Sequence, residues 1–468
     1  AVLKADLITT KQTDSLVTIN QSIEDLHNAN LEVSSISPAK NKSLFIPNNN
    51  QAFVFGFELA GAFTFFCINN SSLYIKQYDH DARLGAHITK IKNYLSDPDS
   101  FNLDWSNFPF ESSHRLGAIF YNPDFSKCFQ DDFHVTFIPF GEFQGLPIEI
   151  LLTESYSGPY KSAPWALRKN SFTYANSVRQ AYKEISSEET IVMNSFLGVG
   201  NPIFNMANRD SKVAPIDSPA SHTEFGTRSI NANLISLPET EEELASIGRE
   251  FPSAKLMLQD EASEAELRNI DIAAYDAISF ATHGILSREL RNVREPGLVL
   301  TKSGAISAPY KSSSIDGILT AEEISVLRIN AEIVTLSACN TATVDVSSSS
   351  LNIKNLASAF KLAGVKNIVS TLWSVESTAA LNINQSLFEN WIGRDVSLSY
   401  AVRTAKLDYI ENATELKAAP IFWGAHILLG PGRNKSIFGV ESETDVDLIT
   451  LEGEGTVTGI SIVSPNKI

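Results

Sequence analysis

From about residue 190 the chain alternates short apolar runs with amphipathic stretches, and this alternation restricts the fold more than any other feature. "NSFLGVG", "AKLMLQ", "DAISFATHG", "EPGLVLT", "EIVTLSAC" and "VKNIVSTLW" read as strands. Most are near-continuously apolar, the pattern of strands covered on both faces. Between them, Thr240 with Glu243, Ser263 with Glu266 and Thr320 with Glu323 have the spacing of a capping box, in which each side chain satisfies an orphan amide of a first helical turn. Gly364 closes the helix "NLASAFKLAG", and Leu398, Ala401, Val402 and Ala405 mark another helix by their spacing. Strand following helix in this way predicts a three-layer α/β/α sandwich with a mostly parallel sheet over 186–430.

Upstream the pattern differs. Residues 1–45 read as a weak helix and linker, ending near "PNNNQ". A first unit over 46–185 holds an aromatic hairpin, the helix "GAHITKIKNYL", the strand "FHVTFIP" and a turn at "FGEFQGLP". The most apolar stretch, "AFVFGFELAGAFTFFCI", is short, carries Glu58 and places phenylalanines at near-alternate positions. It reads as a β-hairpin and not as a membrane span. Residues 431–468 form an acidic extension. The chain opens on Ala1 with no charged-then-apolar leader, so no signal peptide is visible, and we expect a piece of something longer.

With 54 acidic against 37 basic residues the net charge is −17. Such a surface repels phosphate backbones, and no Lys/Arg block opposes it, so nucleic acid is excluded as a partner. Three cysteines, Cys67, Cys128 and Cys339, are sparse, odd in number and without a CxxC pair. They argue against a disulfide framework and a zinc site, and for a reducing, cytoplasmic setting. Cys67 reads as core, and Cys128 lies in a polar turn. The remaining histidines form no metal-spaced cluster, and no cofactor is expected.

In open α/β sheets ligands bind at the carboxyl ends of the strands. Two strands here finish on reactive side chains, His283 in "SFATHG" and Cys339 in "TLSACNTA". A neutral-pH thiol is mostly protonated, so a nucleophilic cysteine needs an imidazole to raise its thiolate fraction and to protonate the leaving amine. Gly284, free of a Cβ, can turn sharply and present its amide; with the Cys339 amide it can hold an oxyanion. Taken alone, a cysteine at a strand end is more often a buried core residue. Competing motifs are weak: "GVGNP" lacks the third glycine of a dinucleotide loop, and no P-loop, HExxH or GxSxG occurs.

Together "DAISFATHG", "EPGLVLT", "DGILTAEEISVLRINAEIVTLSACNTA", "NLASAFKLAGVKNIVSTLW" and "PIFWGAHILLG" resemble the CHAT family of caspase-like cysteine peptidases, relatives of separase, caspases and gingipains. "FIPFGEFQGLPIEILL" and "LPETEEELASIGREF" extend the resemblance to about 50–430. It implies a His283–Cys339 dyad, an oxyanion hole from the Gly284 and Cys339 amides, and a pseudo-caspase subdomain at 46–185. Glu376 in "STLWSVEST", with Ser374, falls where the family lines its pocket for the P1 side chain, the residue before the scissile bond. This implies cleavage after Arg or Lys. The family also implies a protein substrate, a TPR or other sensor module near the N-terminus, and a role in bacterial-type defence or cell-death signalling with a gasdermin-like substrate. Arg433 in "PGRNKS" is then a candidate for self-cleavage. The chain departs from the family in having Glu for the usual Asp at 376, Pro139-Phe140-Gly141 for a PDG turn, and serines for glycines after "CNTA". The alternative is a non-catalytic interaction module with an inert dyad.

Overall fold

The computed structural model describes residues 50–59, 62–69, 72–79, 82–95, 107–123, 125–128, 130–185, 193–204, 234, 236–285, 295–302, 316–337, 356–394, 396–432 and 460–461. Cys339 and Arg433 lie outside them, as do the expected weak helix at 1–45 and most of the acidic extension. The first strands are β1 (Gln51–Leu59), β2 (Ala62–Asn69) and β3 (Ser72–Asp79), then come helices α1 (Ala82–Leu95) and α2 (Phe110–Phe120). Strand β4 (His134–Phe137), helix α3 (Ala166–Lys169), β5 (Ser171–Tyr174) and α4 (Val178–Ile185) complete this unit.

The second unit runs β6 (Ser195–Pro202), α5 (Glu239–Gly248), β7 (Ser253–Gln259), α6 (Glu264–Asn269), β8 (Ala277–Ala281), β9 (Gly284–Ile285) and β10 (Gly297–Val299). It continues through β11 (Ile318–Thr320), α7 (Ala321–Ser325), β12 (Ile333–Leu336), α8 (Leu356–Leu362) and β13 (Asn367–Thr371). It closes with α9 (Ser377–Gly393), α10 (Leu398–Asn412), α11 (Pro420–Trp423) and β14 (His426–Leu429), and β15 (Ile460–Ser461) follows.

One sheet joins both units in the order β15-β3-β2-β1-β4-β5-β14-β13-β12-β8-β6-β7. Among the described residues seven of its neighbouring pairs are parallel and four antiparallel, so the sheet is mostly parallel as the alternation requires. Every residue of β8, β12 and β13 is buried, which explains their continuous apolarity. Their side chains divide by parity. Ala277, Ala281, Ile333 and Val369 face one core with Leu244, Ile247, Phe388 and Trp391 of α5 and α9. Ile278, Phe280, Val334, Leu336 and Ile368 face a second core with Leu267, Ile324 and Phe360 of α6, α7 and α8. These are the three layers.

Local chemistry agrees with the expected caps at two of three helices. Ser263 accepts the Glu266 amide, and Thr320 with Glu323 forms a complete capping box. At α5 the expectation fails. Pro238 starts the helix, Thr240 Oγ1 accepts the Asn201 amide at 2.9 Å, and Glu243 accepts from Asn384 Nδ2 at 2.9 Å. Both side chains are fully buried, so they anchor α5 to β6 and α9 instead of capping it. Gly364 has φ of +106°, the left-handed position expected after α8.

In the first unit the expected hairpin is an antiparallel meander, with Phe63 and Phe65 of β2 packed edge-on against Phe143. Cys67 is core, as expected, but it is disulfide-bonded to Cys128 across a Cα separation of 6.1 Å. The expectation that sparse cysteines without a CxxC pair argue against disulfide bonding is corrected here for Cys67 and Cys128. The partners are 61 residues apart in sequence, and only the folding of the meander brings them together. The reducing setting inferred from sparse cysteines loses that support. No described helix is long and apolar enough to cross a membrane.

Candidate active site

The carboxyl ends of β8, β12 and β13 share one edge of the sheet because the three run parallel and adjacent. Strands β8 and β12 are in strict register, Leu336 opposite Phe280, and the Ser337 amide donates to the Phe280 carbonyl at 2.9 Å. His283 follows Phe280 by three residues, and Cys339 follows Leu336 by three. The 56 residues that separate His283 from Cys339 in the sequence equal the offset between the paired positions Phe280 and Leu336.

His283 is 1% exposed at the join of β8 and β9. Its ring packs on Phe204, centroids 4.9 Å apart, and its carbonyl accepts the Val299 amide at 2.9 Å. The preceding Thr282 is also buried and donates its hydroxyl to the Val299 carbonyl at 2.5 Å. Strand β10 therefore grips the backbone on which His283 sits. Gly284 pairs with Leu298, and the bond from Val299 N to His283 O makes this the non-hydrogen-bonded pair of the ladder. The Gly284 amide is left outside the ladder, as an oxyanion donor requires.

The β10–β11 ladder is fixed in turn by Glu264, whose side chain is fully buried and whose Oε2 accepts the Gly317 amide at 2.7 Å. Leu300 N donates to the Gly317 carbonyl at 2.8 Å. Burial pushes the Glu264 carboxyl up to about 7; the charges of Glu323 and Asp316 add to the rise, while the Gly317 bond and Arg268 oppose it. Arg268 lies 3.7 Å from Glu264 and 2.9 Å from Glu323. Sequence inspection quoted the runs that hold Thr282 and Val299 but gave neither residue a role, and it missed Glu264, because the contacts among them join segments distant in the chain. Phe204, just past β6, was equally invisible.

Glu376 stands at the entry to α9, five residues past β13, and its side chain is 7% exposed. Its Oε1 pairs with Lys417 Nζ at 3.1 Å, and Lys417 is 35% exposed. Burial and the Glu376 charge together push the Tyr409 hydroxyl upward. Ser374 is buried in the same segment. Two further bonds tie this segment to the chain entering β14: Leu372 N to Ala425 O at 3.0 Å and Trp373 Nε1 to Ile421 O at 2.8 Å. Among the described residues no group of three His, Cys, Asp or Glu side chains is arranged to hold a metal.

Among solved structures the chain is similar to the Arg-specific cysteine proteinase gingipain R, at 8% identity and a TM-score of 0.42 over 75% of this chain and 74% of that one. It is also similar to the complex of Porphyromonas gingivalis RgpB pro- and mature domains, at 6% identity and a TM-score of 0.39 over 75% and 76% of the two chains. The Saccharomyces cerevisiae separase–securin complex is similar at 15% identity and a TM-score of 0.36, over 64% of this chain and only 15% of that one. No curated protein matches. The CHAT domain matches residues 111–431, spanning β12, β13 and the histidine turn. With more than half of its length matched, and with the three-layer fold to go with it, the chain belongs to the CHAT-domain family.

Proposed function

We propose that this chain is a regulated cysteine endopeptidase that cleaves a protein substrate after Arg or Lys, with Cys339 as nucleophile and His283 as its base. The observation that carries the reading is the register of β8 and β12. Two adjacent parallel strands reach paired positions three residues before a histidine and three before a cysteine.

The chemistry follows. His283 takes the Cys339 proton, the thiolate sulfur attacks the scissile carbonyl carbon, and the Gly284 and Cys339 amides hold the oxygen that gains charge. The C–N bond breaks as the imidazolium returns the proton to the leaving amine. Water, deprotonated by His283, then cleaves the thioester and restores the thiol. Glu376, with Ser374 beside it, supplies the pocket for a basic P1 side chain. The protein substrate, a TPR or other sensor module and a place in defence or cell-death signalling are carried by the family resemblance.

A peptidyl chloromethyl ketone with Arg at P1 tests the site. It alkylates Cys339 in the wild type and fails to do so in His283→Ala. Equal alkylation in both contradicts the dyad. Arg433 is the proposed self-cleavage position. Intact mass after incubation shows loss of the segment beyond Arg433 in wild type only, and an identical mass in Cys339→Ala removes that assignment.

A further inference from the structure

Of the Lys–Glu pairs among the described residues, Lys366–Glu332, 3.3 Å apart, sits at the amino ends of β12 and β13, away from the site, while Lys406–Glu149 and Lys417–Glu376 differ in a way that separates structure from recognition. Lys406 Nζ and Glu149 Oε1 lie 2.9 Å apart with side chains 1% and 3% exposed, and Tyr174 also donates to Glu149. That pair is sealed. In the second pair the carboxylate of Glu376 is buried at 7% exposure, whereas its partner Lys417 is 35% exposed. One charge is trapped and the other is half in water.

Topology puts the second pair at the site edge. Strand β14 runs antiparallel to β13 with Thr371 opposite His426, so the segment that enters β14, Lys417 included, lies where β13 leaves the sheet. The bonds from Leu372 to Ala425 and from Trp373 to Ile421 hold the two segments together independently of the ion pair. Lys417 can therefore leave without the backbone coming apart.

We infer that Lys417 is an internal stand-in for the P1 side chain, holding the Glu376 carboxylate until a basic side chain displaces it. The inference rests on the reading of Glu376 as the P1 acid. A buried carboxylate is costly without a cation, so Glu376 exchanges one cation for another and is never left bare. A half-exposed ammonium returns to water at small cost. An arginine, which can engage both carboxylate oxygens, competes with a single ammonium better than a lysine does. Lys417 thus sets a threshold that favours Arg over Lys and rejects neutral P1 residues.

Benzamidine, an amidinium probe that needs no turnover, tests this by calorimetry on the full chain carrying Cys339→Ala, at pH 8 and low salt. Adding Lys417→Met is expected to tighten binding about fivefold or more, the scale of a partly exposed ion pair. Lys417→Arg should bind the probe no more tightly than the parent, and Glu376→Gln should abolish binding. Lys417→Gln serves as the second neutral variant where Lys417→Met unfolds early. Equal affinity in parent and neutral variants, or no binding in any of them, overturns the inference. Proteolysis by the wild type is read separately, so either result leaves the dyad assignment standing or falling on its own measurement.

Discussion

The first unit and the site edge of the second are held by different kinds of bond. The first has a buried disulfide, interlocked aromatic rings and a sealed ion pair reaching from Glu149 to Lys406 of α10. The site edge is held by short ladders, a buried carboxyl that titrates near neutrality and an ion pair open to water on one side. The contrast teaches a division of labour. The first unit is a buttress for the helices behind β13 and β14, while the edge that carries His283 keeps contacts that pH and ligands can alter.

The sealed pair gives the largest expected effect. Lys406→Met strands a buried carboxylate and should cost about 3–5 kcal/mol in urea unfolding, as removal of one buried ionic partner does. Adding Glu149→Gln should restore much of the loss. A cost below about 1 kcal/mol for Lys406→Met alone would show that the buttress is looser than its burial suggests.

Next comes the disulfide. Cys128→Ser should lower stability by about 2–4 kcal/mol, the usual range for a bridge closing a long loop. If the contrast holds, hydrogen exchange quickens in β1–β3 while β8, β12 and β13 keep their protection. Equal quickening in both would merge the two regions into one cooperative body.

Glu264 gives the smallest effect and sharpens the other side of the comparison. Its folded pKa is raised to about 7, so its contribution to stability is present below the unfolded carboxylate value and is lost as pH rises through about 7. Between pH 5 and 8 the wild type should lose on the order of 1 kcal/mol in this region. Glu264→Gln should flatten that slope, read by exchange at the Val299 and Gly317 amides. An unchanged slope would clear Glu264 of the role.

What the sequence revealed followed from local patterns. Continuous burial wrote β8, β12 and β13 as apolar runs, and the Thr320 capping box is contained in four residues. The pairing of β8 with β12 was legible in two apolar runs whose last paired residues, Phe280 and Leu336, each stand three positions before a reactive residue type in the sequence. What stayed hidden depends on contacts between distant segments. Cys67 meets Cys128, Lys417 meets Glu376 and Glu264 meets Gly317 only after the sheet has formed. Thr240 misled because a capping pattern records spacing, while Asn201 of a neighbouring strand had already claimed its hydroxyl.

The central claim is that the β8–β12 register delivers a working dyad. It is tested most directly by turnover of a fluorogenic peptide pool varied at P1, run with wild type, Cys339→Ala and His283→Ala. The account predicts cleavage after Arg and Lys by wild type, with losses of at least about a thousandfold in each variant, as for groups that act as one unit. Cleavage that survives both substitutions, or wild-type turnover with no preference for a basic P1 residue, would contradict it.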